Sequence, residues 1–242
     1  MCSTCDSKAA GRRDFLKIGA ASLAWAVFAT AMRPARARAA EGAPTSLSPD
    51  EALAELKSGN ERYVSQPEVC ALDLSEERMA VAGHQAPFAT IIACADSRSP
   101  PELIFGGHGV GQLFVARNAG NLVDAATLGT VEYGAAVLGS PLIVVLAHTS
   151  CGAVKAACDV VTKNATYPGA IGTMIEPILP AALAARGQEG DYVNNTAKLS
   201  ARRTAARLPA ASTIISSLLG SGKLKIVPAI YDLQSGVVTY LE

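Results

Sequence analysis

The chain has no surplus of either charge: across 242 residues, 21 Lys and Arg are matched by 21 Asp and Glu. Nucleic-acid binders ordinarily show a basic excess or a basic patch, so composition gives no footprint for that class of partner. Cysteine is sparse as well. Six in a chain of this length are too few for a disulfide framework, and each has to be judged by its neighbours. There is no internal repeat and no low-complexity block. The glycine cluster Gly106-Gly107-His108-Gly109 fits neither the dinucleotide nor the P-loop spacing, and a tight turn explains it. Aromatic residues are only 5% of the total, but half of all residues are hydrophobic. That is ample for the core of an ordinary domain and incompatible with general disorder.

The first 39 residues differ from all that follow. A polar start with Lys8, Arg12 and Arg13 leads into an uncharged run from Ile18 to Met32, and then into Arg33-Pro34-Ala35-Arg36-Ala37-Arg38-Ala39. These are the three regions of a signal peptide. The run has 15 residues, short of the roughly 20 that a spanning helix needs, so cleavage after Ala39 is preferred to a retained anchor. Gly11-Arg12-Arg13-Asp14-Phe15-Leu16-Lys17 resembles the twin-arginine motif of bacterial Tat signals, with Gly11 where Ser is common. The resemblance implies the Tat export machinery as a partner and a periplasmic or secreted destination for a protein already folded. Cys2 and Cys5, spaced C-x-x-C without a second ligand pair, leave with this segment. Seven basic and two acidic residues leave too, so the mature chain, residues 40–242, keeps 14 basic against 19 acidic residues, a net charge near −5. The case against nucleic acid becomes firmer.

In the mature chain, Ser48-Pro49-Asp50-Glu51 carries a capping box with proline at the first helical position, which predicts a helix to about Val64 with Leu53, Leu56 and Tyr63 on its apolar stripe. Three continuous apolar runs follow, Phe88 to Ala93, Leu113 to Ala116 and Leu142 to Ala147, as expected of strands buried on both faces of a parallel sheet. A helical stretch from Asp124 to Leu138 separates the last two, making a β-α-β unit and an α/β fold. Helices are predicted at Thr173 to Ala185, Asp191 to Arg207 and Ala210 to Leu219. Strands follow at Leu224 to Tyr231 and Val237 to Leu241, joined by a hairpin turn at Gln234-Ser235-Gly236. With no second linker, residues 40–242 form a single domain.

Two of the buried runs end in metal-ligand chemistry. Cys94-Ala95-Asp96-Ser97-Arg98 follows one, and His148-Thr149-Ser150-Cys151-Gly152 follows another. Ligands of open parallel sheets bind at the carboxyl ends of strands, so both clusters can face one crevice. Thiolate, imidazole and thiolate suit zinc, and three protein ligands in place of four point to a catalytic site. Cys151 also stands where strand passes into helix, which favours its thiolate. Cys158, two helical turns further, is about 10 Å away by helical rise and out of reach of a shared ion. It and Cys70 have no visible motif.

These residues resemble a known family. Cys94 to Arg98 is similar to the C-x-D-S-R signature of β-class carbonic anhydrases and His148 to Gly152 to their H-x-x-C-G. Phe114-Val115-Ala116-Arg117-Asn118-Ala119-Gly120-Asn121 and Val131-Glu132-Tyr133 match the family's F-V-x-R-N-x-x-N and E-Y segments in order. The resemblance spans Ser48 to the end of the chain. It implies a mostly parallel sheet flanked by helices, with an N-terminal helical arm. It implies one zinc per subunit on Cys94, His148 and Cys151, and an Asp96–Arg98 dyad. Gln85, Phe114 and Tyr133 match positions that line the pocket, and members assemble as dimers or multiples of dimers with pockets at the subunit interface.

The implied reaction is reversible hydration of carbon dioxide to bicarbonate and a proton by zinc-bound hydroxide, since zinc with an open position lowers the pKa of its water to about 7. Asp96 would orient the hydroxide and Arg98 would hold Asp96 off the metal; a closed state has Asp96 as the fourth ligand. Switchable members use a Trp near the first Cys in an inhibitory bicarbonate site. Ile91-Ile92-Ala93-Cys94 contains none, so the site is expected open. His84 and His108 are candidates to carry the proton away, although a loop histidine without a task is the plainer reading of each. Two alternatives stay in view: hydrolysis of carbonyl sulfide or carbon disulfide on the same scaffold, and a non-catalytic zinc protein. The presence of Asp96, Arg98 and Gln85 weighs against the second.

Overall fold

The computed structural model describes residues 43–66 and 74–242. The predicted signal segment with Cys2 and Cys5, and also Cys70, lie outside the described residues. No helix among the described residues is long and apolar enough to cross a membrane.

Helix α1 spans Pro49–Ser65, and its start is the predicted capping box. The Glu51 amide donates to Ser48 Oγ at 3.3 Å, and the Ser48 amide donates to Glu51 Oε2 at 2.8 Å. Ala52, Leu56, Gly59 and Asn60 form its buried face. Gly59 admits a close crossing, because a Cβ there would stand 1.8 Å from the Phe105 carbonyl oxygen. Asn60, a polar residue in this face, is fully used: Nδ2 donates to the carbonyls of Ile104 and Gly236, and Oδ1 accepts from the Val238 amide. Helix α2, Leu74–Ala80, follows.

The sheet consists of β1 (Ala89–Cys94), β2 (Leu113–Asn118), β3 (Leu142–His148), β4 (Lys225–Tyr231) and β5 (Val238–Tyr240), in the order β2-β1-β3-β4-β5. All neighbours are parallel except β4 and β5, which close the predicted hairpin. β1 and β3 are buried at every position. Alternate residues feed two cores. Ile92, Ile143 and Val145 pack under the later helices, while Ile91, Leu142 and Val144 pack under α1 with Leu56, Ile104 and Phe105. Full burial of one such Leu or Ile contributes about 1.5–3 kcal/mol. β2 departs from the expectation of burial on both faces. It is the edge strand and is half-buried over most of its length.

Between β1 and β2 lies the short α3, Pro101–Ile104, unforeseen in the sequence. The predicted helix before β3 is α4, Ala125–Glu132, which loosens into a π turn over Tyr133–Val137. Gly134 in that turn lies against β1, since a Cβ would be 2.5 Å from Thr90 Oγ1. After β3 come α5 (Gly152–Lys163), α6 (Ala170–Ile175), a 3₁₀ turn (Glu176–Ile178) and α7 (Leu179–Ala185). The single helix expected from Thr173 to Ala185 is thus broken at Pro177, which has no amide to donate and disfavours helix at the residue before it. α8 runs Tyr192–Ala211 and α9 Thr213–Gly220. α8 is longer than predicted. Ser212 ends it and caps α9, its Oγ accepting from the Ile215 amide at 3.1 Å.

Candidate active site

The carboxyl ends of β1 and β3 are side by side, and each delivers its last residue: Cys94 closes β1 and His148 closes β3. Cys151 follows a sharp connection in which Ser150 has φ +54°, its amide bonded to Asn194 Oδ1 at 3.0 Å. Cys151 itself is the N-cap of α5. The three ligand atoms lie within 4.8 Å of one another, and all three residues are buried.

The donor set fits a metal ion. The His148 Nδ1–H donates to the Thr149 carbonyl at 2.9 Å, which leaves the lone pair on Nε2. Nε2 is buried and makes no hydrogen bond among the described residues. An orphaned imidazole nitrogen beside two sulfurs is the unmet need that an ion satisfies. Sulfurs about 2.3 Å from a tetrahedral zinc stand about 3.8 Å apart; here Cys94 Sγ and Cys151 Sγ are 3.9 Å apart.

Without the ion, the thiols share a proton. The Cys151 S–H pulls the Cys94 thiol down to about 4, helped by His148 and by the amides of Gly120 and Asp96 and opposed by burial. The same contact with Cys94, and then burial, pushes Cys151 up. The helix position alone predicted the thiolate at Cys151. The pair holds one negative charge between its two sulfurs, with the Gly120 amide donating to Cys94 and the α5 amides of Ala153 and Val154 favouring charge on Cys151. For His148, burial disfavours the charged form but the Cys94 sulfur outweighs it, and the pKa is raised.

Asp96 and Arg98 form a two-pronged ion pair. Arg98 Nε donates to Asp96 Oδ1 at 2.9 Å and Nη2 to Oδ2 at 2.7 Å, and the Arg98 amide adds a bond to Oδ1 at 3.0 Å. The guanidinium therefore holds the Asp96 carboxyl well below the usual range. Asp96 Oδ2 stands 3.8 Å from His148 Nε2, at the edge of the ligand cluster.

Some supporting residues had no role assigned from sequence. Arg117 Nε donates to the Cys94 carbonyl at 2.8 Å and Nη2 to the Asp96 carbonyl at 2.6 Å, fixing the backbone that carries a ligand and the dyad. The Gly120 amide donates to Cys94 Sγ at 3.3 Å. Asn118 clamps the loop by bonding both the amide and the carbonyl of Leu122 at 2.7 Å. All belong to the Phe114–Asn121 motif, so the signal was present without its mechanism. Cys158 stands apart from the cluster and bonds Thr196 Oγ1 at 3.4 Å.

The three pocket residues are elsewhere in the chain. Phe114 pairs with Thr90, four strand positions before the Cys94–Asn118 pair, about 13 Å along the strand. Tyr133 is 41% exposed, its ring centroid 6.0 Å from that of Phe114. Gln85 is exposed in the segment before β1. One chain unites ligands and dyad at one end of the sheet and leaves these three toward the other. Of the candidate proton carriers, His84 is exposed. His108 packs edge-on against Phe88 at 5.0 Å, and burial lowers its pKa.

A family model described as carbonic anhydrase matches residues 89–238. Among solved structures, a tetrameric β-carbonic anhydrase of Sordaria macrospora aligns with TM-score 0.61 at 25% identity, covering 75% of this chain and 89% of that one. The Coccomyxa β-carbonic anhydrase in complex with acetazolamide aligns with TM-score 0.61 at 28% identity, covering 75% and 83%. The chain belongs to the β-class carbonic anhydrase family. A similar relative is carbonic anhydrase 2 of Mycobacterium tuberculosis, 38% identical over 188 residues, 78% of this chain and 90% of that protein. Zinc-dependent hydration of carbon dioxide is the activity of this family, and the β-carbonic anhydrase fold accounts for the parallel sheet and its flanking helices.

Proposed function

We propose that carbon dioxide hydration by this chain takes place at the carboxyl ends of β1 and β3, with Cys94, His148 and Cys151 holding zinc and Asp96 and Arg98 serving the reaction. The observation that carries this reading is the buried, unpartnered Nε2 of His148 beside the two sulfurs, with the Asp96 carboxylate at 3.8 Å. Zinc held there supplies Lewis-acid chemistry that makes water a nucleophile near neutral pH. Thr149 fixes the tautomer of His148, and the Gly120 amide stabilises negative charge on Cys94. Asp96, kept ionised by Arg98, accepts a hydrogen bond from the reacting water and orients its lone pair toward carbon dioxide. Both Asp96 oxygens are engaged by Arg98, which supports an open site without Asp96 as a ligand.

Gln85, Phe114 and Tyr133 complete this site from a second copy. Their distance from the ligands along one chain supports the reading, as does the tetrameric relative. An isologous dimer would bring the Gln85 end of each chain to the metal end of the other. The N-terminal segment directs export through the Tat machinery, with zinc loaded before transport so that the thiolates cross protected from oxidation. The twin arginines support this. Replacing Arg12 and Arg13 by Lys leaves active, unprocessed enzyme inside the cell; unimpaired export would count against it. The central test is stopped-flow carbon dioxide hydration on purified protein with its zinc content measured. Zinc-replete protein that does not accelerate hydration overturns the assignment.

A further inference from the structure

Two of the candidate ligands are joined by a very short connection. His148 closes β3 and Cys151 caps α5, so Thr149 and Ser150 alone turn the chain from sheet to helix. Thr149 is fastened to the end of β4: its amide donates to the Tyr231 carbonyl at 2.9 Å, and its Oγ1 accepts from the Leu233 amide at 3.0 Å. Ser150 makes the turn itself, with φ +54°.

That conformation does not suit a serine. Among the described residues, the non-glycine positions with positive φ are Asn121, Ser150 and Asn164. Asparagine enters the left-handed region readily, and Asn164 does so as the ordinary end of α5. Left-handed backbone at other residues persists where the surroundings impose it. The Ser150 side chain is exposed, and the constraint acts on its backbone. Asn194, 44 residues further along, accepts the Ser150 amide on Oδ1 at 3.0 Å. Because an N–H needs an acceptor opposite it, the Asn194 oxygen and not its NH₂ faces the turn.

Asn194 is a firm support. Asp191 caps α8, its Oδ1 accepting the Asn194 amide at 2.7 Å, and the Tyr192 hydroxyl donates to the Ala182 carbonyl at 2.9 Å, tying the same turn to α7. Further along α8, Ala197 and Ala201 are fully buried in the core.

We propose that Asn194 is a positioning residue of the metal centre: by holding Ser150 left-handed, it sets Cys151 beside Cys94 and His148 before an ion arrives. This rests on the reading that those three residues hold zinc. Asn194 acts through the backbone of the turn and not through a ligand atom. Such preorganisation raises affinity, because the chain is already ordered when the ion binds.

The test is competition for zinc against a chromophoric chelator at neutral pH under reducing conditions. Full-length wild type is compared with Asn194→Ala, Asn194→Asp, Ser150→Gly and the double variant Ser150→Gly/Asn194→Ala. Asn194→Ala is expected to lower zinc affinity about two- to tenfold, the effect of one lost hydrogen bond. Asn194→Asp keeps the acceptor oxygen and stays close to wild type. Ser150→Gly alone changes little. In the Asn194→Ala background it restores most of the lost affinity, since glycine takes the left-handed conformation without support. That rescue separates positioning of the turn from general support of α8, which glycine at this position would leave unrepaired. Equal affinity of wild type and Asn194→Ala overturns the proposal, and so does a loss that Ser150→Gly fails to relieve. An Asn194→Ala chain that does not fold would make Asn194 a support of the helix and would overturn it too. Wild type that takes up no zinc strikes the reading of the metal centre first, and this proposal with it.

Discussion

The two ends of the parallel sheet are finished differently. At the carboxyl end, a single chain brings together three buried ligand atoms, a carboxylate locked by two guanidinium bonds, and backbone amides aimed at a sulfur. Toward the amino end, Gln85 and Tyr133 are exposed and Phe114 lies on an edge strand. The first end is closed by covalent proximity to strand termini. The second is a surface whose task depends on what meets it. The contrast teaches that one chain gathers the candidate ligands and the dyad without help, whereas the residues matched to the pocket stay apart from them and, on the reading proposed above, meet them only in an assembly.

Cys151→Ala is expected to act most strongly, because it removes a ligand and leaves a buried thiol and imidazole unmatched. Zinc content should fall well below one per chain and hydration should vanish, as measured by metal analysis beside stopped-flow rates; retained zinc with full activity would break the claim that this end is self-sufficient. Asp96→Asn should keep the metal and lose about 10²–10⁴-fold in hydration rate, the range for a positioned acid–base group. Here metal analysis separates a binding role from a reaction role.

The other end is probed by mixing. Gln85→Ala should keep zinc and lower kcat/KM. Remixed with Asp96→Asn chains, half of the dimers become hybrids, each with one intact site, so about a quarter of wild-type sites reappear. No recovery on mixing would place Gln85 outside a shared pocket. The mildest effect concerns protons. In the metal-free site the Cys94 and Cys151 sulfurs share one proton, and the pKa of His148 is raised by the neighbouring Cys94 sulfur against the effect of burial. Zinc binding at pH 7 should therefore release between one and two protons, and affinity should fall as pH falls. Calorimetry in buffers of different ionisation enthalpy measures the number, and no release would contradict the shared-proton geometry.

Much of this was written in local pattern. The capping box of α1, the apolar runs of β1 and β3, and the positions of Cys94 and His148 at strand ends depend on neighbours a few residues away, and they agree with the structure. Element breaks were harder. The interruption at Pro177 is a local signal passed over, whereas the π turn after Glu132 depends on how closely Gly134 approaches Thr90, which lies on another element. The burial of β2 depends on sheet order, which a run of apolar residues does not encode.

Residue chemistry alone was enough to single out Cys94, His148 and Cys151 as candidate metal ligands, because soft ligands at strand ends have few other uses, and the ordered motifs were enough to recognise the family and, through that resemblance, to expect the Asp96–Arg98 dyad. That Cys94 and Cys151 lie close enough to share a proton, and that Arg117 and Gly120 brace Cys94, both required three-dimensional packing. Each is an interaction between segments far apart in the chain, set by distances of a few ångströms that spacing in the sequence does not determine.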